Sequence, residues 1–344
     1  MKAAVFEGVG KPLSIQDVPR PAAEPNELVV KVDYCGVCGT DLHATREGLT
    51  TAAEGQILGH EYVGKIVEVG PEALGDWQVG DRVCSLPFIA CGNCDACHAG
   101  RPYECQNKKV SGVDAQGAYA EYVAAGGQET IKLPDDLDSQ AAALIEPLAV
   151  GLHAVRMADV QPGSRVLVIG AGPIGLTVAL WARFYGAESV VVSERADSRA
   201  ALAQKMGATA VMRPAADADA ETLAAQYAEL TGGAPEVIFE CVGAPGLLQQ
   251  CIEIAGHGGQ IVPVGVCEQP DAIMPMLGLF KELRIQFAIA YTMDDFQTAM
   301  SALAEQRIDV QPMITDIVTL DELPAAFEAL RTPQDQCKVL IKID

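Results

Sequence analysis

The chain has 344 residues, 49% of them hydrophobic and 20% charged, which suits about two ordinary domains and argues against disorder. Its formal net charge of -22 excludes the Lys- and Arg-rich surface that nucleic acid binding requires. The opening MKAAVFEGVG has no basic stretch followed by an apolar one, so no export signal is predicted and a cytoplasmic location is expected. The uncharged run 166–182 is short for a membrane span and holds Gly170, Gly172, Pro173 and Gly175. It reads as a buried strand, a turn and a helix, so no membrane partner is expected.

In chain order, the first half is β-rich. VVKVDYCGVC, EYVGKIVEVG and AYAEYVAAG are short β-branched runs, and Gly36, Gly39, Gly59, Gly64, Gly70 and Gly80 supply the tight turns of a small barrel-like fold. From about residue 151 the rhythm changes. Strands are predicted at Arg165–Ile169, Ser189–Ser193, Val237–Glu240 and 260–264, alternating with helices at 174–185, 198–206, 220–230 and 246–255. Such alternation implies parallel strands joined by crossover helices. The last part runs helix 293–305, strand 313–318, helix 323–331 and strand 338–343. The expected divisions are 1–150, 151–288 and 289–344; periodicity does not say whether the third extends the second or returns to the first.

Four of the eleven cysteines form C-x2-C-x2-C-x7-C: Cys91, Cys94, Cys97 and Cys105. Without an export signal, such clustering points to metal rather than disulfides. Two-residue gaps let a loop wrap four thiolates around one ion, giving a closed tetrahedral zinc site with a structural role. An iron–sulfur cluster and four unrelated thiols are the alternatives.

Cys38, His60 and Glu61 suggest a second site. A catalytic zinc needs about three protein ligands and one open position, and thiolate, imidazole and carboxylate all qualify. Asp41 is placed to accept the second N–H of a ligating histidine. Singly, a histidine is more often structural and a cysteine more often a small buried apolar group.

Gly170-Ala171-Gly172-Pro173-Ile174-Gly175 matches G-x-G-x-x-G between the strand RVLVI and the helix IGLTVALWARF. Glycines at those positions allow a tight turn and close approach to a pyrophosphate at a helix N-terminus. Glu194, at the end of the next strand, would accept from adenosine ribose hydroxyls and repel a 2′-phosphate, favouring NAD over NADP. Arg195 beside it argues the other way.

In this order these residues resemble the zinc-containing medium-chain alcohol dehydrogenase family over essentially the whole chain. The specific segments are CGVCGTDLH, GHEYVGKIVEVG, GDRV, the four-cysteine loop, EPLAV and VIGAGPIG. The resemblance implies an α/β protein: a GroES-like catalytic domain, a Rossmann domain and a C-terminal return to the first. It implies two zinc ions per chain, an NAD cofactor, a small alcohol or ketone substrate and a homo-oligomer, a tetramer rather than a dimer. Cys38 and His60 would ligate the catalytic zinc. Where the alcohol dehydrogenase branch has a third cysteine, this chain has Glu146, as in the butanediol, polyol and threonine dehydrogenase branch. Glu61 and Glu146 both remain candidates for the third ligand.

In that family zinc polarises the substrate oxygen and a hydride passes to the nicotinamide. Thr40 and His43 would relay the proton; Arg199, Val264 and Val266 would contact the cofactor. Sorbitol-type members carry an arginine where this chain has Ala290, before Tyr291, so a secondary alcohol or vicinal diol such as 2,3-butanediol is expected. Polyol and threonine oxidation on the same scaffold are the alternatives. A non-catalytic, crystallin-like nucleotide binder would not need Cys38, His60 or the cysteine loop.

Overall fold

The computed structural model describes residues 1–49, 51–332 and 335–343. The chain forms two units, Met1–Glu146 with Thr292–Asp344, and Pro147–Tyr291. The crossings fall a few residues from the sequence-based limits of 150 and 288. Residues 292–344 thus pack with the first 146 residues, a question periodicity left open.

In the first unit a seven-stranded sheet runs Ile314–Thr319, Lys338–Lys342, Glu27–Gly36, Glu61–Val69, Arg82–Ser85 and Thr130–Lys132, with Tyr122–Gly126 also paired to Glu27–Gly36. Leu28, Val30, Val32, Tyr62, Ile66, Tyr119, Phe327 and Ile341 are buried together in its core. Two registers matter for function: Gly36 stands opposite Glu61 on one side and Leu340 on the other. Consequently Lys338, two residues before Leu340, lies beside the turn that leaves Gly36 for Cys38, where Val37 N–H donates to Val339 O at 2.9 Å. Gly36 has a steric reason to be glycine: a Cβ there would stand 2.2 Å from Glu61 Oε2.

The second unit is a six-stranded sheet, ordered Ala210–Met212, Ser189–Ser193, Arg165–Ile169, Val237–Glu240, Gln260–Pro263 and Arg284–Ile285. Every neighbouring pair is parallel. Val166–Val168 and Val190–Val192 are fully buried, as strands covered on both faces must be. This is the doubly wound Rossmann order, whose direction reverses between Arg165–Ile169 and Val237–Glu240. The last strand, Arg284–Ile285, and the short helix Pro275–Phe280 escaped sequence reading because two and six residues carry too little periodicity. Among the described residues, no helix is long and apolar enough to cross a membrane.

Candidate active site

Cys38 is the N-cap of the helix Gly39–Ala44, and Asp41 in that helix is buried. The Asp41 carboxylate accepts from the Cys38 backbone N–H at 3.1 Å, the Gly59 N–H at 3.1 Å and the Tyr119 hydroxyl at 2.7 Å. Its Oδ1 also lies 3.4 Å from His60 Nδ1, which leaves Nε2 as the imidazole's ligand atom. Gly59, at φ +90°, permits the turn that delivers His60, and a Cβ there would meet the Tyr119 ring at 2.3 Å. Burial opposes a charged imidazole, yet the Asp41 carboxylate and the Cys38 thiol outweigh it and raise the His60 pKa well above its ordinary value. Burial likewise works against the Asp41 charge, and His60 and Tyr119 overcome it, holding that carboxyl low.

Cys38, His60 and Glu61 each offer a ligand atom, all within 4.8 Å of one another. The soft thiolate, imidazole and nearby carboxylates form a donor set that fits zinc. Glu61, however, has an engagement that its sequence position did not reveal. Lys338 Nζ donates to Glu61 Oε1 at 2.7 Å and Oε2 at 2.6 Å, and to Val37 O at 3.1 Å. Burial disfavours the ammonium, but Glu61, Cys38 and Glu146 together raise the Lys338 pKa. Glu146, 7% exposed in the first turn of Ile145–Met157, is therefore part of the same electrostatic cluster. Sequence reasoning missed Lys338 and Tyr119. Lys338 shares its strand face with Leu340 and Lys342, opposite the apolar Val339, Ile341 and Ile343, so the alternation reads the Lys338 side as the solvent face. Thr40 and His43 are both exposed on the helix Gly39–Ala44.

The four-cysteine loop rises from a ribbon of Phe88–Ile89 paired with Lys109–Val110. Its sulfurs lie within 4.8 Å of one another, with Cys94–Cys97 and Cys91–Cys105 separations of 3.5 Å. Sulfurs 2.3 Å from a common tetrahedral ion stand about 3.8 Å apart, whereas a disulfide requires about 2.05 Å, so the loop fits one zinc and no disulfide. Gly92 and Gly100, at φ +73° and +71°, make the turns. The Asn93 backbone N–H, with burial opposing, draws the Cys91 thiol down to about 6.

In the second unit, a cavity of about 520 Å³ lies at the reversal of strand order, lined among others by Gly170, Gly172, Glu194, Arg195, Arg199 and Cys241. Gly170 has φ +95°, and a Cβ on Gly175 would stand 1.9 Å from Gly170 O. Nothing lies within 4 Å of a Cβ position on Gly172, the N-cap of Pro173–Phe184, so that face is open to a phosphate. Glu194 accepts from the Ala171, Arg195 and Ala196 N–H groups at 3.1, 2.7 and 2.9 Å, tying the acid to the glycine turn. Pro173, Ile174, Gly175, Val264 and Val266 do not line this cavity. Val264 and Val266 follow the carboxyl end of Gln260–Pro263, where Val264 N–H donates to Glu240 O at 2.8 Å. The lining residues that sequence reading missed include Cys241 and Val242, on the facing turn, and Pro214 to Ala216. Ala290 is exposed with φ +54°, and Tyr291 is buried.

Residues 24–135 match the model of the alcohol dehydrogenase GroES-like domain, and residues 173–305 that of zinc-binding dehydrogenases. The chain is 34% identical to the L-threonine 3-dehydrogenase of Shewanella loihica, with 95% of each chain covered. Among solved structures it resembles 2R,3R-butanediol dehydrogenase from Bacillus subtilis, at 32% identity and TM-score 0.88, covering 100% of this chain and 99% of that one. A Sinorhizobium meliloti protein bound to NADP is 34% identical with TM-score 0.89, covering 99% of this chain and 98% of that one.

Proposed function

Because the chain belongs to the zinc-containing medium-chain alcohol dehydrogenase family, and is on that ground an oxidoreductase, we propose that it oxidises a secondary alcohol or vicinal diol, 2,3-butanediol-like, to the ketone, reversibly and with NAD. The observation that carries the reading is the Cys38–His60–Glu61 cluster, backed by Asp41 and Lys338, with Glu146 acting electrostatically on Lys338. A zinc ion held there would act as a Lewis acid on the alcohol oxygen. In our reading Cys38, His60 and Glu146 are its ligands, because both oxygens of Glu61 are occupied by Lys338. Asp41 fixes the ring plane of His60 and favours its Nδ1–H tautomer. Thr40 and His43 are proposed to carry the alcohol proton outward, which their exposure allows.

Glu194 supports NAD, and the glycine turn it holds would receive the pyrophosphate. A homo-oligomer, tetramer before dimer, is also part of the reading. Its support is the open edge of the six-stranded sheet, where Phe287 and Ile289 are 66% and 85% exposed beside exposed Leu279 and Phe280.

L-Threonine is a second reading, favoured by the naming of the curated relatives. Both substrates present a methyl carbinol beside a polar carbon. The deciding experiment assays 2,3-butanediol, L-threonine and sorbitol with NAD and with NADP. The proposal expects the diol to have the highest kcat/KM, and NAD to exceed NADP. A preference for threonine replaces it with the second reading; a preference for sorbitol overturns both.

A further inference from the structure

The first unit holds a second cavity, of about 480 Å³, beside the cysteine loop. Its polar lining is Glu129, Glu72, Asn26, Asn93 and Gln128 together with Cys91 of the cysteine loop, and among the described residues no lysine, arginine or histidine lines it. Glu129 is 2% exposed, and its Oε1 has no hydrogen-bond partner among the described residues. The carboxylate is held in place from two sides. Glu129 O accepts the Leu86 N–H at 2.9 Å, which fixes the backbone. Gly126 makes room for the side chain, since a Cβ there would stand 1.9 Å from Glu129 Oε2. Asn26 Nδ2 donates to Ala90 O at 3.3 Å, and its carbonyl oxygen is an acceptor.

A desolvated carboxylate without a countercharge is costly, and an uncharged residue would fill the same space without that cost. The lining is rich in acceptors and carries negative charge, and the volume suits a small organic molecule better than a bare ion. We propose that this cavity binds a small organic ammonium, whose N–H groups satisfy Glu129 Oε1 and whose charge answers Glu129 and Glu72. The site is separate from the metal cluster around Cys38 and from the nucleotide cavity, and does not depend on the dehydrogenase reading.

Calorimetric titration of the zinc-loaded protein at pH 8 and constant ionic strength tests it, with putrescine as probe and neutral N,N′-diacetylputrescine as control. Putrescine should bind saturably at one site, and the diacetyl compound should not. Glu129→Gln should weaken binding at least tenfold and Glu72→Gln severalfold. Should Glu129→Gln fail to fold, Gly126→Ala serves instead: displacing the carboxylate should weaken binding comparably. Absence of saturable binding, equal binding of the neutral control, or undiminished binding in these variants overturns the proposal.

Discussion

Lys338 Nζ stands 2.7 and 2.6 Å from the two carboxylate oxygens of Glu61, and both side chains are 1% exposed. The pair joins the C-terminal strand Lys338–Lys342 to the first residue of Glu61–Val69. Removing one partner of such a buried pair leaves the other charge uncompensated, at a cost of about 3–5 kcal/mol. Lys338→Met should therefore destabilise by that order, and Lys338→Met with Glu61→Gln should recover most of it. Urea unfolding of the zinc-loaded proteins measures both. A single variant no worse than the double would show that the pairing is absent.

The two metal clusters should separate by mutation. Purified protein should carry about two zinc ions per chain, on the ligand sets around Cys38 and in the cysteine loop. Cys38→Ser should lose about one of them together with activity, while Cys97→Ser should lose the other and chiefly lower Tm. Metal analysis that returns iron and sulfide contradicts the assignment.

Glu129 makes stability depend on pH in an unusual direction. Burial pushes its carboxyl from the ordinary 4.5 up to about 7, against two backbone hydrogen bonds that lower it. Below pH 4.5 the group is protonated in both folded and unfolded chains and costs nothing. As pH rises through 7 the unfolded chain gives up this proton more readily, so stability falls by roughly 3 kcal/mol. Glu129→Gln should thus raise Tm at pH 8 and much less at pH 5.5. A Tm difference independent of pH would rule out this ionisation.

Glu194 has two tasks, and its removal should reveal both. Glu194→Ala deletes the carboxylate that would repel a 2′-phosphate, so the kcat/KM ratio of NADP to NAD should rise. The Ala171, Arg195 and Ala196 amides lose their acceptor as well, so KM should increase for both cofactors. A native enzyme that already prefers NADP would refute the first half.

Substrate range is tested at Ala290. Sorbitol-type members carry an arginine at the position of Ala290, so on the proposed reading Ala290→Arg should improve sorbitol turnover relative to 2,3-butanediol. An apolar site rejects an added hydroxyl only weakly, so the native preference should be on the order of a hundredfold. Because the position has φ +54°, Ala290→Gly should be stabilising by about 1 kcal/mol. Equal sorbitol-to-diol ratios in the arginine variant and the native enzyme would remove Ala290 from specificity.

The sequence by itself determined what depends on local order. The glycine turn is legible because strand, turn and helix are contiguous, and the cysteine loop because all four thiols fall within fifteen residues. The Rossmann alternation is legible because four of its strands have apolar centres and are followed by helical stretches. Only the tertiary structure decided what depends on strands distant in the chain. Residues 292–344 joined the first sheet through backbone pairing at Leu340 and Gly36, which no side-chain pattern encodes. That register brought Lys338 to Glu61 across 277 residues, pairing a candidate metal ligand with a buried ammonium. Glu129 is the same kind of case: an ordinary acid in the polar run GGQET acquires its character only when Gly126 and the cysteine loop close over it. Burial and countercharge are properties of neighbours in space, and a linear reading reaches them only where neighbours in space are also neighbours in the chain.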